Sequence, residues 1–203
     1  MDRILEISFK NKLSHIGSSI TIMPILELIY NKKNDKDIVV LSAGHAGLAQ
    51  YVQIEKRSNG LIDAEEMIHS MGIHPERNIK KGIYVSTGSL GSGILVAVGL
   101  AIANKERNIY CVLTDGECAE GSVWEALAFS ELHKLTNLII HVNINGFSAY
   151  DSVDRDYLEN RLKIFYPRII VHQTKNPEFL GDLNAHYYVL KEADEINKIL
   201  KDL

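Results

Sequence analysis

The stretch LTDGECAEG, residues 113 to 121, ends an apolar run with an aspartate and a glycine and then adds two glutamates. Thirty residues after Asp115 stands Asn145, again followed by a glycine at the end of an apolar run. A carboxylate and an amide carbonyl are hard oxygen donors suited to Mg²⁺ or Ca²⁺. Mg²⁺ takes few protein ligands and completes its octahedron with phosphate oxygens and water. If Asp115 and Asn145 face one point, they imply a cation carrying a phosphate-bearing ligand. Gly116 lets a ligand approach the backbone closely, and the amides opening the next helix suit an anion. An isolated Asp-Gly is more often an Asx turn with a helix cap. The recurrence of Asn-Gly at the matching place is what sharpens the signal. A second stretch, STGSLGSG (86–93), puts three glycines among hydroxyls ahead of an amphipathic run. It reads either as an anion cradle or as a helix start packed closely on its neighbours, and its spacing is not that of a Walker loop.

These residues need a scaffold that brings them together. DIVVLSAG (37–44), NIYCVLTDG (108–116) and NLIIHVNING (137–146) are short apolar runs stopped by small residues, the pattern of strands buried on both faces. Between the last two, Trp124, Leu127, Ala128, Leu132 and Leu135 recur on one face of a helix. Strand, helix, strand joins parallel strands by a right-handed crossover, which carries both carboxyl ends to one edge. Open α/β sheets bind ligands at that edge. Asp115 and Asn145 are therefore expected at one rim. Further helices are predicted at 19–31, 46–57, 63–70, 90–104, 154–165 and 191–201, and a late strand at 168–174. The expected architecture is a three-layer α/β/α sandwich with a mainly parallel sheet.

With 203 residues, 46% of them hydrophobic, the chain is expected to form one domain over 1–203. A net charge of −4 with interspersed signs offers no basic stripe for nucleic acid, and no apolar run reaches the roughly 20 residues that span a bilayer. The opening MDRILEISFKNKL lacks a signal peptide's apolar region and cleavage site, so a cytoplasmic protein is expected. Cys111 and Cys118 lack Cys-x-x-Cys spacing and are expected as reduced thiols.

The run TDGECAEGSVWEALAFSELHKLTNLIIHVNINGFSAYD resembles the thiamine diphosphate motif of transketolases, a Gly-Asp-Gly followed after about thirty residues by Asn-Gly. The resemblance implies the thiamine diphosphate-binding fold and assigns Mg²⁺ (or Ca²⁺) to Asp115, Asn145 and the Phe147 carbonyl. SHIGSSITIMPILELIY (14–30) is similar to the family's opening segment, which puts His15 near the substrate channel. LSAGHAGLAQY (41–51) is similar to its Gly-His-Ala segment, which makes His45 a contact for cofactor and substrate. The region 72–105 is similar to the stretch where His-Pro precedes a Gly-rich turn. By that likeness His74 touches donor hydroxyls, while Gly88 and Leu90 lie against the cofactor. Gly116, Glu117 and, from a looser match, His186 are implied as further cofactor contacts, and Glu120 as an interface residue.

Of the eight histidines, His15, His45 and His74 are thus the expected catalytic set, able to orient hydroxyls and move protons near neutral pH. His69, His133 and His141 read as surface or core, and His172 is open. The likeness implies transfer of a two-carbon ketol unit from a ketose donor to an aldehyde or ketone acceptor. In transketolases the glutamate and aromatic pocket for the cofactor's pyrimidine belong to a second domain. Here they are expected from a separately encoded partner chain, two copies of each making a heterotetramer. A thiamine-dependent 2-oxoacid decarboxylase or E1-type subunit, and a non-catalytic scaffold of the same fold, are the alternatives. The chain departs from the family at Thr114, where the first glycine of Gly-Asp-Gly is replaced, at GFSAYD after Asn145, and over 152–185, which is compressed.

Overall fold

Apolar side chains alternating along four short runs build the centre of the molecule. The computed structural model describes residues 1–148, 151–181 and 183–203. Ile38–Leu41 (β1), Ile109–Thr114 (β2), Leu138–Ile144 (β3) and Ile170–Gln173 (β4) lie side by side in chain order, every pair parallel. β1 and β2 are buried along their whole length, whereas β4 is half-exposed at the sheet edge.

The α-helices among the described residues are Asp2–Lys10 (α1), Ile16–Lys32 (α2), Gly47–Arg57 (α3), Ala64–Met71 (α4), Ser92–Ala103 (α5), Gly121–Leu132 (α6), Arg155–Phe165 (α7) and Asp194–Lys201 (α8). Alternation sends Val39, Leu41, Tyr110 and Val112 to one face of the sheet, where they join buried residues of α1 to α4 and α8. It sends Ile38, Val40, Cys111, Leu113 and Ile140 to the other, against α5, α6 and α7. This is the three-layer α/β/α sandwich with a parallel sheet. Aspartates start two of the helices: the Asp63 carboxylate accepts from Glu66 N at 2.8 Å and that of Asp154 from Tyr157 N at 2.9 Å.

The expected strands and helices are present within a few residues of their predicted bounds. α1 is an addition, an amphipathic helix burying Ile4, Leu5 and Ile7. α2 starts at Ile16 rather than 19 and runs through Pro24, buried on nearly every side. Its exposed side carries the apolar Pro24 and Leu28 beside Glu27 and Asn31, so no clean polar stripe marks the helix and periodicity alone places its start poorly. Both cysteines are buried and unpaired with one another. Among the described residues no helix is long and apolar enough to cross a membrane.

Two glycines of α5 give opposite expectations. At Gly93 an added Cβ would lie 2.6 Å from Ser42 Cα, at the end of β1, whereas at Gly99 it would meet nothing within 4 Å. Gly93→Ala is expected to destabilise the chain by about 1–3 kcal/mol through overpacking. Gly99→Ala is expected to stabilise it by up to about 1 kcal/mol through helix propensity. Urea denaturation of the two variants beside the parent chain measures both.

Candidate active site

Strand register sets the first corner of the site. Thr114 of β2 pairs with Asn143 of β3, and Asp115 N donates to Asn143 O at 3.0 Å, so both chains leave the sheet at the same height. The tips then bond to each other: Gly146 N donates to Asp115 Oδ2 at 2.8 Å, while Gly116 N donates to Asp115 Oδ1 at 3.1 Å. Asn145 Oδ1 accepts from Phe147 N at 2.9 Å, an Asx turn that leaves the amide oxygen a second lone pair. Gly146 adopts φ +94, which a side chain would strain. Gly116, at φ −61 and ψ −35, has ordinary helical backbone, so its conformation alone does not demand glycine.

Thr114, Asp115, Gly116, Asn145 and Phe147 line one cavity of about 40 Å³ together with His45, Leu90 and His186. That volume suits an ion or a water. Burial pushes the Asp115 carboxyl up to about 6 against the pull of the surrounding amides. The Thr114 hydroxyl is buried with no hydrogen-bond partner among the described residues. A desolvated carboxylate and an amide oxygen lining one small cavity form a donor set that fits a hard cation. No cluster of three His, Cys, Asp or Glu side chains arranged to hold a metal occurs among the described residues, so a cation here would depend on mixed oxygen donors.

Above this corner four histidines converge. His15 ends the turn before α2 in a left-handed conformation (φ 62), held by its own N–H to His186 O at 3.2 Å and by Ser14 Oγ at 2.8 Å from its Nδ1. Its ring centroid lies 4.3 Å from that of His186, 5.7 Å from His45 and 6.2 Å from His74. His45 sits on a single 3-10 turn at the carboxyl end of β1. Burial, then the neighbouring imidazoles, pushes His15 down to about 4 and His45 to about 3, and burial lowers His186 as well. These rings are neutral at pH 7, so each can both donate and accept a hydrogen bond.

The Gly-rich stretch closes the third side. At Gly44 a Cβ would lie 2.6 Å from both Gly88 N and the Thr87 carbonyl carbon, and at Gly88 it would press on the His74 ring at 3.2 Å. Close packing of two small-residue turns is what lets His45 and His74 approach. Glu117 does not line the cavity. It is fully buried behind it, where Oε1 accepts from Ser42 Oγ at 2.6 Å and Gly91 N at 3.1 Å, and burial raises its carboxyl to about 7. Glu120 is exposed at the start of α6. Ser18 and Ser148 also line the cavity. Ser18 falls within the SHIGSS stretch, but nothing marks it beyond its neighbours. Ala149 and Tyr150 of the departing GFSAYD stretch lie outside the described residues.

The remaining histidines lie elsewhere. His69 is exposed and bonded to Asn11, His133 is exposed, and His141 is buried in β3 and stacked on His172 of β4 at 5.1 Å. A larger cavity, about 570 Å³, lies away from these groups beside Tyr30, Lys33 and Arg57. Of the cations that line it, Lys33 already donates to Asn34 O, Arg57 to Gln53 and Asn31, and Lys81 to Ser70, and Lys80 lines it as well.

A family profile described as "Transketolase, thiamine diphosphate binding domain" matches residues 5–172. The chain is 33% identical over 163 residues to an apulose-4-phosphate transketolase subunit of Phocaeicola vulgatus, covering 70% of this chain and 57% of that protein. It is 35% identical over 150 residues to human transketolase, covering 68% of this chain and 23% of that protein. It therefore spans about half the length of the first relative and about a quarter of the second. The fold is shared with transketolase from Leishmania mexicana, with a TM-score of 0.80 and 23% identity over 98% of this chain and 40% of that one.

The buried imidazoles generate a pH expectation. Their folded pKa values lie below the ordinary 6.5, so the unfolded chain takes up protons first as pH falls. Their contribution is present above about pH 6.5 and is lost as pH drops toward 4, at up to about 1.4 kcal/mol per pH unit for each ring. Urea midpoints followed by Trp124 fluorescence are expected to fall steeply between pH 6.5 and 4.5, and less steeply in a His15→Gln/His45→Gln variant. An equal slope in the two proteins would contradict the assigned burial.

Proposed function

The chain belongs to the transketolase thiamine diphosphate-binding domain family, and from that premise we propose that it is the diphosphate-binding subunit of a two-chain transketolase. In this reading it transfers a two-carbon ketol unit from a ketose donor to an aldehyde or ketone acceptor. It works in the cytoplasm with thiamine diphosphate and Mg²⁺ or Ca²⁺. Residues 1–203 form one diphosphate-binding domain, shortened near 152–185.

One observation carries the proposal. The Asp115 to Gly146 hydrogen bond ties two strand tips into a single oxygen-lined cavity beside four converging imidazoles. The side chains of Asp115 and Asn145 and the carbonyl of Phe147 would hold the cation. Gly88, Leu90 and Gly116 would lie against the cofactor, with His45 and His186 beside its diphosphate. Glu117 would support that site from behind, by fixing Ser42 and the Gly91 amide. When bound, thiamine diphosphate supplies the nucleophilic carbon and the electron sink for carbon–carbon cleavage. His15, His45 and His74 orient the donor's hydroxyls and shuttle their protons. The packed turns around Gly44 and Gly88 keep water from the buried side of the site.

Two features support a partner chain. The cavity is too small to enclose a whole cofactor, which fits a site completed by walls from another polypeptide. α5 and α6 also leave Leu95, Val96, Ile102, Phe129 and Leu132 exposed, an apolar face of the kind that partner subunits cover. The Phocaeicola vulgatus relative is itself named as one subunit of its enzyme. By that likeness the partner is a separately encoded pyrimidine-binding transketolase chain, two of each per assembly.

The test is reconstitution. The purified chain alone is expected to show no ketol transfer, and activity should appear on mixing with the pyrimidine-binding partner, thiamine diphosphate and Mg²⁺. Asp115→Ala in the pair is expected to lower turnover by about a thousandfold or more. Full turnover by the single chain, or by the Asp115→Ala pair, would reject the proposal.

A further inference from the structure

The peptide unit joining Asn145 to Gly146 is bonded at both ends. Its N–H donates to Asp115 Oδ2 at 2.8 Å, and its carbonyl oxygen accepts from Arg155 Nη2 at 2.5 Å. The guanidinium also fills the space over Gly146, where a Cβ would lie 2.6 Å from Arg155 Nε. Neighbouring contacts hold the same two segments together: Val153 N donates to Gly146 O at 2.8 Å, and Phe147 and Ser152 form an antiparallel bridge.

Arg155 is the first residue of α7, where the helix dipole disfavours a cation, and that helix already has its cap in Asp154. Helix stability therefore does not account for an arginine at this position. A charge-assisted bond to the Asn145 carbonyl polarises the peptide and strengthens its N–H toward the Asp115 carboxylate. It also fixes the plane of the peptide, and with it the directions of the Asn145 side chain and of the next carbonyls along the turn. We propose that Arg155 is a positioning residue for the cation corner, clamping the 145–147 turn so that Asp115, Asn145 and Phe147 present their oxygens to one point. The inference rests on the reading of those three residues as cation ligands. Lysine would keep the charge but not the planar fork that reaches both the carbonyl and the space over Gly146.

Two measurements separate this role from its alternatives. The first needs no metal: amide hydrogen exchange of the full chain, followed by NMR. Arg155→Gln is expected to speed exchange at the Gly146 amide at least about tenfold while leaving the amides of β2 and β3 unchanged, with Arg155→Lys intermediate. An unchanged Gly146 rate, or a rise shared by the strands as general destabilisation would produce, overturns the proposal. The second uses Mn²⁺ as a paramagnetic probe, with thiamine diphosphate, in the reconstituted pair. Arg155→Gln is expected to weaken Mn²⁺ binding about 10- to 100-fold, the size seen when groups that orient metal ligands are removed, and Asp115→Ala to abolish it. Binding lost in Asp115→Ala but unaltered in Arg155→Gln overturns the role of Arg155 alone. Binding that survives Asp115→Ala overturns the reading of the cation corner, and the role of Arg155 with it.

Discussion

The hydrogen bond from Gly146 N to Asp115 Oδ2 joins the ends of two central strands, β2 and β3, at one rim of the sheet. A carboxylate buried at a strand end is costly unless amides or a cation compensate it. The surrounding amides do so only in part, since the carboxyl is still pushed up to about 6. The residual demand for positive charge at the rim gives the cavity its chemical character. It depends on parallel strands in register, which depend in turn on two layers of helices drying both faces of the sheet.

The histidines sit on the same framework by different means. His15 is carried by the turn into α2, His45 by the 3-10 turn after β1, and His74 by the loop that packs on Gly88. None of these attachments is a long regular element. Their precision comes from close contacts between small residues, which leave little freedom to the backbone carrying each ring. Burial, then the neighbouring imidazoles, keeps His15 and His45 neutral.

Glu117, a cofactor contact by the family likeness, is fully buried and does not line the cavity. In the fold the 3-10 turn over Glu117–Ala119 rotates the side chain inward, where it binds Ser42 and Gly91 and links the ends of β1, β2 and α5. No spacing rule reveals this, because the direction of a side chain on a one-turn helix is set by what it packs against. Arg155 is invisible for a related reason: its partner is a backbone carbonyl ten residues away, and carbonyls carry no sequence signature.

Local pattern alone determined the strands and the parallel arrangement, because two-sided burial writes a continuous apolar run and a crossover helix writes its own period. It also determined that Asp115 and Asn145 share a rim, since consecutive parallel strands must end at one edge. Tertiary structure decided the rest. α2 began earlier than its pattern showed, α1 joined the core, four histidines from distant segments met within a few ångströms, and Glu117 turned away from the cavity. Those outcomes depend on contacts between residues far apart in the chain, whose distances and directions exist only once the layers have packed.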